Sequence, residues 1–331
     1  MRKFIFQLLY FLVLLVLLDR AFILFRPNET NLFNQIAREK ANVTASKINV
    51  DSGFDAFVVG SSHAQFGVSP EMIHSKLKLK TLNLAFGGGA NMGTQLAILK
   101  KLVIEKKIHP KLIIFGIDVF TLNSEPAKSS DCQSLLFNEK DNLYDLFKSK
   151  VIVSYFKLYS RFIPDYYERI KSGDYQLPLL DRDNHYDLTM FEKYEKYQIS
   201  NLGWVKGFGS PNKDYVRYSK TTFNPNAIAI KNLEEYAEFC KNNNIILVLI
   251  QIPEHKVCLE YFKKYRDFNR WMEEFSNNYR IQYWDFNDEL IFPVGNDSLF
   301  FDTDHLNKVG AVYFSSLLSD RLNIYSKYWK K

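Results

Sequence analysis

From Asp55 onward the chain alternates short apolar runs with amphipathic stretches of helical period, and that alternation leaves few folds open. Ala56 to Val59, Thr81 to Ala85, Lys111 to Ile117, Ile245 to Ile252 and Ile281 to Phe286 read as strands. Helices are predicted near Pro70 to Leu77, from about Met92 to Lys107, from about Asn226 to Lys241, within Tyr261 to Asn277, and from Lys308 to Leu322. Strand, helix, strand in repetition predicts an α/β domain whose parallel sheet is covered on both faces. Such sheets place their sites at the carboxyl ends of the strands. Ser62, Gly87, Asp118, Glu254 and His305 all fall just after a strand or in a late loop.

The alternation lapses between about residues 121 and 224. This stretch is Tyr-rich, reads as largely helical, and carries the glycine-bearing loop Gly203-Trp204-Val205-Lys206-Gly207-Phe208-Gly209. It is read as an insertion leaving the core beyond the third strand, where inserted segments form lids and substrate walls or simply cap the fold.

Ahead of the domain, Phe4 to Leu18 is almost purely apolar, follows Arg2 and Lys3, and is extended past Asp19-Arg20 by Ala21 to Phe25. That approaches the roughly 20 residues a bilayer needs. Residues 1–26 are therefore predicted to be an uncleaved signal anchor forming one transmembrane helix. A cleaved signal would call for a small-x-small site after the apolar core, and none follows. Positive charge before the span places the N-terminus inside. The rest is expected outside the bacterial cytoplasmic (inner) membrane, with residues 27–51 as a polar stalk carrying one short amphipathic helix and 52–331 as the α/β domain.

Composition narrows the partners. A net charge of +6 is spread over Lys-rich helices and the C-terminal Lys327, Lys330 and Lys331, a distribution that fits solvated helix faces near a membrane and not nucleic acid. Cys132, Cys240 and Cys258 are too few for a disulfide framework, though they leave room for one bridge, and the six His are scattered singly, so no zinc site is read. With 28 Phe and 20 Tyr the aromatic content serves a core, while Trp204 and Trp284 are candidates for stacking on a sugar, Trp284 at least equally for the core.

Three short segments carry the chemistry. Gly60-Ser61-Ser62-His63-Ala64 follows the first strand, so Ser62 can present its hydroxyl at the sheet edge beside backbone N–H groups; His63, adjacent on a tight turn, is a secondary candidate for substrate contact. Asn83-Leu84-Ala85-Phe86-Gly87-Gly88-Gly89-Ala90-Asn91 lets backbone approach a ligand closely, which suits an oxyanion hole built from Ser62, Gly87, Gly88 and Asn91. The rival reading, a phosphate cradle, lacks the Walker lysine-serine ending and the spaced dinucleotide glycines. Asp302-Thr303-Asp304-His305-Leu306-Asn307 puts a carboxylate three residues before an imidazole, close enough for one turn to join them. The same residues also read as a capped helix start, with Asn307 or Asp304 as cap.

In this order the segments resemble those of the SGNH, or GDSL-like, hydrolase superfamily, and in particular its membrane-anchored members that modify alginate, peptidoglycan and teichoic acid. The resemblance spans roughly Asp55 to Arg321. It implies a flavodoxin-like three-layer α/β/α fold, Ser62 as nucleophile, Asp302 and His305 as acid and base, Gly87 or Gly88 as oxyanion donor, and no cofactor. It further implies O-acyl transfer, acetyl above all, or ester hydrolysis on a cell-envelope glycan, with a membrane-bound O-acyltransferase as possible acyl-supplying partner. One block departs: where the family has Gly-x-Asn-Asp, this chain has Gly116-Ile117-Asp118-Val119, replacing an amide donor by an ionisable carboxylate. Asp118 is expected to orient a neighbour or a substrate hydroxyl, with Asn91 as substitute donor; Trp204 and Glu254 complete the candidate substrate contacts. The departure also keeps open a non-catalytic glycan-binding or assembly protein that retains the fold.

Overall fold

A computed structural model describes residues 53–87, 92–123, 197–209, 211, 222–262 and 264–328, together with scattered positions between 6 and 48. Five strands form one sheet: β1 (Ala56–Gly60), β2 (Thr81–Asn83), β3 (Leu112–Gly116), β6 (Ile246–Gln251) and β7 (Gln282–Asp285). Their order is β2-β1-β3-β6-β7 and every pairing is parallel. This is the flavodoxin-like order, in which the chain leaves β1 for one edge and returns to build the other. The reversal lies between β1 and β3, whose carboxyl ends are paired at Gly60 and Gly116.

Side chains alternate across the strands and feed two cores. Phe57, Val59, Ile113, Phe115, Leu247 and Leu249 face one side. There they meet helices α3 (Met92–Lys100, continued by a π turn over Lys101–Glu105), α5 (Ala227–Asn242) and α7 (Tyr265–Tyr279). Ala56, Val58, Ile114, Val248 and Ile250 face the other. They meet α1 (Ser62–Gly67), α2 (Pro70–Leu77) and α8 (Lys308–Leu322). Two short helices, α4 (Val119–Asn123) and α6 (Lys256–Tyr261), follow β3 and β6. Helices on both faces of a parallel sheet give the three layers expected.

Several expectations are revised. The glycine-bearing loop of the insertion is a two-stranded antiparallel hairpin, β4 (Tyr197–Ile199) and β5 (Val205–Gly207). Gly203 makes its turn at φ +79, and a Cβ there would collide with the backbone carbonyl of Asn83, which excludes larger residues. Trp204 is buried in the core and donates its indole N–H to the Phe66 carbonyl at 2.7 Å, so it presents no face to a sugar. Trp284 is likewise a core residue. Residues 124–196 of the insertion lie outside the described residues.

The segment read as a polar stalk contributes to the body. Lys40 is fully buried: its ammonium donates to Asn83 Oδ1 at 2.9 Å and lies 5.2 Å from the centre of the Phe86 ring. Burying a lysine is tolerated because its methylene stem packs as a hydrocarbon while the charge finds an acceptor and a ring face. The predicted anchor falls mostly outside the described residues; among those described, Phe6, Tyr10, Phe11, Val13 and Leu14 are helical and exposed. No helix among the described residues is long and apolar enough to cross a membrane.

Candidate active site

The turn after β1 is built to hold Ser62 still. Gly60 adopts φ +131, and a Cβ there would strike the Gly116 carbonyl, so only glycine fits where β1 and β3 end together. Its backbone is gripped by a buried amide: Gly60 N–H donates to Gln95 Oε1 at 2.7 Å, and Gln95 Nε2 donates to the Gly60 carbonyl at 2.9 Å. Ser61 caps α1, its hydroxyl accepting from the His63 N–H at 3.3 Å. Asn83 ties down the other end of this six-residue helix by donating to the carbonyls of Ala64 and Val68 at 2.9 and 3.0 Å. A helix this short has little stability of its own, so its position is set by these clamps.

The second half of the site precedes α8. Asp302 Oδ1 accepts from the backbone N–H of Asp304 and of His305, at 2.9 and 2.7 Å, forming the tight turn that the spacing required. His305 Nδ1 then lies 2.9 Å from Asp302 Oδ2. Asn307 is the N-cap of α8, accepting from Val309 and Gly310 and donating to the Ser298 carbonyl at 2.7 Å. The capping reading and the acid–base reading therefore both hold, on different residues.

The two halves meet. His305 Nε2 is 2.8 Å from Ser62 Oγ, across 243 residues of sequence. His305 is fully buried and stacked with the Phe301 ring (5.3 Å between centroids, 12° between planes) and with the His63 ring (4.9 Å, 27°). Burial works against a charged imidazole here, but the carboxylates of Asp302 and, at 3.4 Å, Asp304 outweigh it and lift His305 from 6.5 to about 10.

The remaining candidates fall around this axis. His63 points inward, with Nδ1 3.0 Å from Asp118 Oδ2 and Nε2 3.9 Å from Glu254 Oε1. Asp118 is buried and fully engaged: besides His63 it accepts from the Ser61 hydroxyl, and at 2.7 Å from both the N–H and the hydroxyl of Thr121. Burial raises a carboxyl, yet the His63 bond and charge, with the Ser61 and Thr121 bonds, hold Asp118 down at about 2. The carboxylate that departs from the family pattern thus orients protein neighbours rather than facing substrate, and one of its oxygens is bonded to His63. Glu254 is buried, its N–H donating to Asn287 Oδ1 at 2.7 Å.

One oxyanion assignment changes. The Gly87 N–H is taken by the buried side chain of Gln65, at 2.6 Å to Oε1. Gly87 still lies against the nucleophile, where an added Cβ would be 3.2 Å from Ser62 Cβ. Gly88 and Asn91 lie outside the described residues. Gln65, Gln95, Asn83 and Ser61 were not singled out by the sequence: buried amides that clamp backbone have no spacing of their own, although Ser61 stood where an N-cap is expected. His63, Asp304 and His305 bring one donor atom each within 4.8 Å of the others. The ring nitrogens of His305 are nevertheless engaged by Asp302 and Ser62, and Nδ1 of His63 by Asp118.

A flavodoxin-like sheet that carries serine, histidine and aspartate in hydrogen-bonded series at its carboxyl edge defines a serine-nucleophile site. Solved structures similar to this chain include a protein assigned to the G-D-S-L lipolytic family from Desulfitobacterium hafniense DCB-2 (12% identity, TM-score 0.38, covering 80% of this chain and 98% of that one). An acetyl xylan esterase also matches (11%, 0.39, 81% and 99%), as does a GDSL-like lipase from Bacteroides thetaiotaomicron VPI-5482 (9%, 0.37, 87% and 98%). The chain is thus similar to SGNH/GDSL-like hydrolases in its motifs and in its structural matches. At such low identity and score the likeness itself decides nothing about chemistry, which rests on the atoms of the site. One protein-family model, whose description names no activity, matches residues 183–326, less than half of the chain. No curated protein matches.

Proposed function

We propose that this protein is a serine-dependent acyl-transfer enzyme that makes or breaks an O-acyl ester, acetyl in the first instance, on an extracytoplasmic glycan. The observation that carries the reading is the continuous series Asp302–His305–Ser62, at 2.9 and 2.8 Å. A serine hydroxyl is a weak nucleophile until an oriented imidazole takes its proton, and these distances supply that orientation.

In the proposed cycle Ser62 Oγ bonds to the acyl carbon while its proton passes to His305 Nε2, and Asp302 holds the imidazolium. The Ser62 backbone N–H, at the first turn of α1, faces the developing oxyanion, with Gly88 and Asn91 as further donors. The leaving alkoxide takes the proton from His305 as its bond to the acyl carbon breaks. Water or a sugar hydroxyl then gives its proton to His305, attacks the acyl-enzyme, and releases Ser62. Water makes the protein an esterase and a sugar hydroxyl makes it a transferase.

The glycan, the membrane and an O-acyltransferase partner belong to the proposal; the membrane is supported by the N-terminal sequence, where Arg2 and Lys3 precede the apolar run and the described helical positions Phe6, Tyr10 and Phe11 are exposed apolar residues. The non-catalytic reading rested on Asp118, and its pairing with His63 removes that support. The test is release of acetate from O-acetylated envelope glycans by the full chain. Turnover by the wild type and none by Ser62→Ala is expected; equal release by both overturns the serine mechanism.

A further inference from the structure

The helix that begins at Ser62 is pinned at both ends, by Gln95 through Gly60 and by Asn83 at its last carbonyls. Asn83 is fully buried at the end of β2. A carboxamide has two N–H donors and two acceptor positions on its oxygen, and Asn83 uses all four. Its Nδ2 donates to the carbonyls of Ala64 and Val68, while its Oδ1 accepts from the Ala85 N–H at 3.1 Å and from Lys40 Nζ at 2.9 Å. Its backbone N–H donates to the Leu202 carbonyl, in the turn of the β4–β5 hairpin. Lys40 reaches this point from a segment that is itself seated. Lys40, Thr44 and Ile48 are helical, buried and spaced to share one face, and a Cβ on Gly203 would meet Thr44 Cγ2 at 2.8 Å.

We propose that Asn83 is a positioning residue for Ser62 and that Lys40 completes it, so that the segment ahead of β1 is a working part of the active site and not only a tether. The six residues of α1 hold no position by themselves, and Ala64, whose carbonyl Asn83 grips, lies two residues from Ser62. The amide can grip α1 only while its Nδ2 faces the two carbonyls, and the donors on Oδ1 fix that orientation. Without Lys40 a buried acceptor position loses its partner; the amide then turns or shifts to recover one, and its two bonds to α1 follow. His305 is held by a separate set of contacts, the Asp302 turn and the start of α8, so a displacement of α1 is felt directly in the 2.8 Å contact between Ser62 Oγ and His305 Nε2. The purpose of this placement rests on the acyl-transfer reading, while the contacts do not.

The contact is followed by NMR of the His305 ring nitrogens in the full-length, 15N-histidine-labelled chain, with Ser62→Ala marking where the resonance falls when the hydroxyl is absent. Lys40→Met, which keeps the stem and removes the donor, and Asn83→Asp, which keeps Oδ1 and removes the donors to Ala64 and Val68, are each expected to move the His305 resonance toward that mark. Lys40 acts through Asn83, so the double variant should move it no further than Asn83→Asp alone. Lys40→Gln, with a stem one atom shorter, makes the same test if Lys40→Met does not fold. A wild-type His305 resonance in the folded Lys40 variant, or displacements that add in the double variant, overturns the proposal. Where ester turnover is present, kcat of the folded Lys40→Met chain should fall by up to about 10²-fold with KM unmoved, the scale of a misplaced reacting group; wild-type kcat would make Lys40 merely structural. A displaced His305 resonance without any ester turnover by the wild type would sink the acyl-transfer reading and leave the positioning standing.

Discussion

His305 Nε2 lies 2.8 Å from Ser62 Oγ although the two residues belong to opposite ends of the domain. Ser62 is carried by the turn that ends β1, and His305 by the turn that Asp302 winds ahead of α8. Removing either side chain should cost about 10³–10⁴-fold or more in turnover of an activated acetyl ester, because the two act as one unit. Ser62→Ala, His305→Ala and the double variant should therefore fall to the same residual rate, measured by steady-state hydrolysis. Multiplying losses would show that they act separately.

Asp302 has two tasks that a single substitution separates. Asp302→Asn keeps a side-chain oxygen able to accept from the Asp304 and His305 N–H groups, so the turn survives, while the charge opposite Nδ1 is lost. We expect a melting temperature near that of the wild type with turnover lower by about 10²–10⁴-fold. Collapse of the fold would mean that the carboxylate is chiefly architectural.

The pH dependence follows from His305. Its proton is held up to about 10, and only the neutral ring accepts from Ser62, so kcat/KM should rise with pH through neutrality and level off only near 10. Stability should run the other way. A base whose affinity is raised on folding contributes stability that is complete below its unfolded value of 6.5 and is lost as pH climbs through about 10. Asp118 has the opposite sign: its contribution is present above its unfolded value of 3.8 and disappears as pH falls through about 2. Urea denaturation across pH, in wild type and Asp118→Asn, checks this; acid stability identical in the two chains would contradict it.

Much of this architecture was legible because it follows from periodicity. Strand–helix alternation located all five strands of the sheet, and α2 and α8 begin and end where the sequence placed them. What escaped was structure held by tertiary clamps. The six-residue α1 has too few turns to show a period, and β4 and β5 have three residues each. Ser62, Asp302 and His305 could be read because their chemistry demands a nucleophile after a strand and an acid one turn from a base. The inward placement of His63 could not, since Asp118, to which its ring is bonded, lies 55 residues away. The burial of Lys40 escaped for a related reason: nothing in its own polar segment signals that Asn83 and Phe86 face it.

That docking is open to test. Lys40→Met keeps the stem and removes the donor to Asn83 Oδ1, which also accepts from the Ala85 N–H. Loss of about 1–3 kcal/mol is expected from the charged hydrogen bond, together with faster proteolysis near residue 40. Unchanged cleavage kinetics would mean that the segment is anchored elsewhere.

At Gly60, substitution by alanine combines a φ of +131 with a collision against the Gly116 carbonyl. A loss on the order of 3 kcal/mol is expected, and turnover should drop even under conditions where the variant remains folded, since the Ser62 turn must shift. Wild-type kinetics in folded Gly60→Ala would show that the close approach of β1 to β3 is not needed to place the nucleophile.

The central claim is covalent acyl transfer through Ser62, and it is tested most directly by intact-protein mass spectrometry after brief exposure to an activated acetyl ester. The account predicts a single acetyl adduct on the wild type that maps to Ser62 and is absent from Ser62→Ala and His305→Ala. An adduct that persists in Ser62→Ala, or no adduct and no ester turnover from folded wild-type protein, would contradict it.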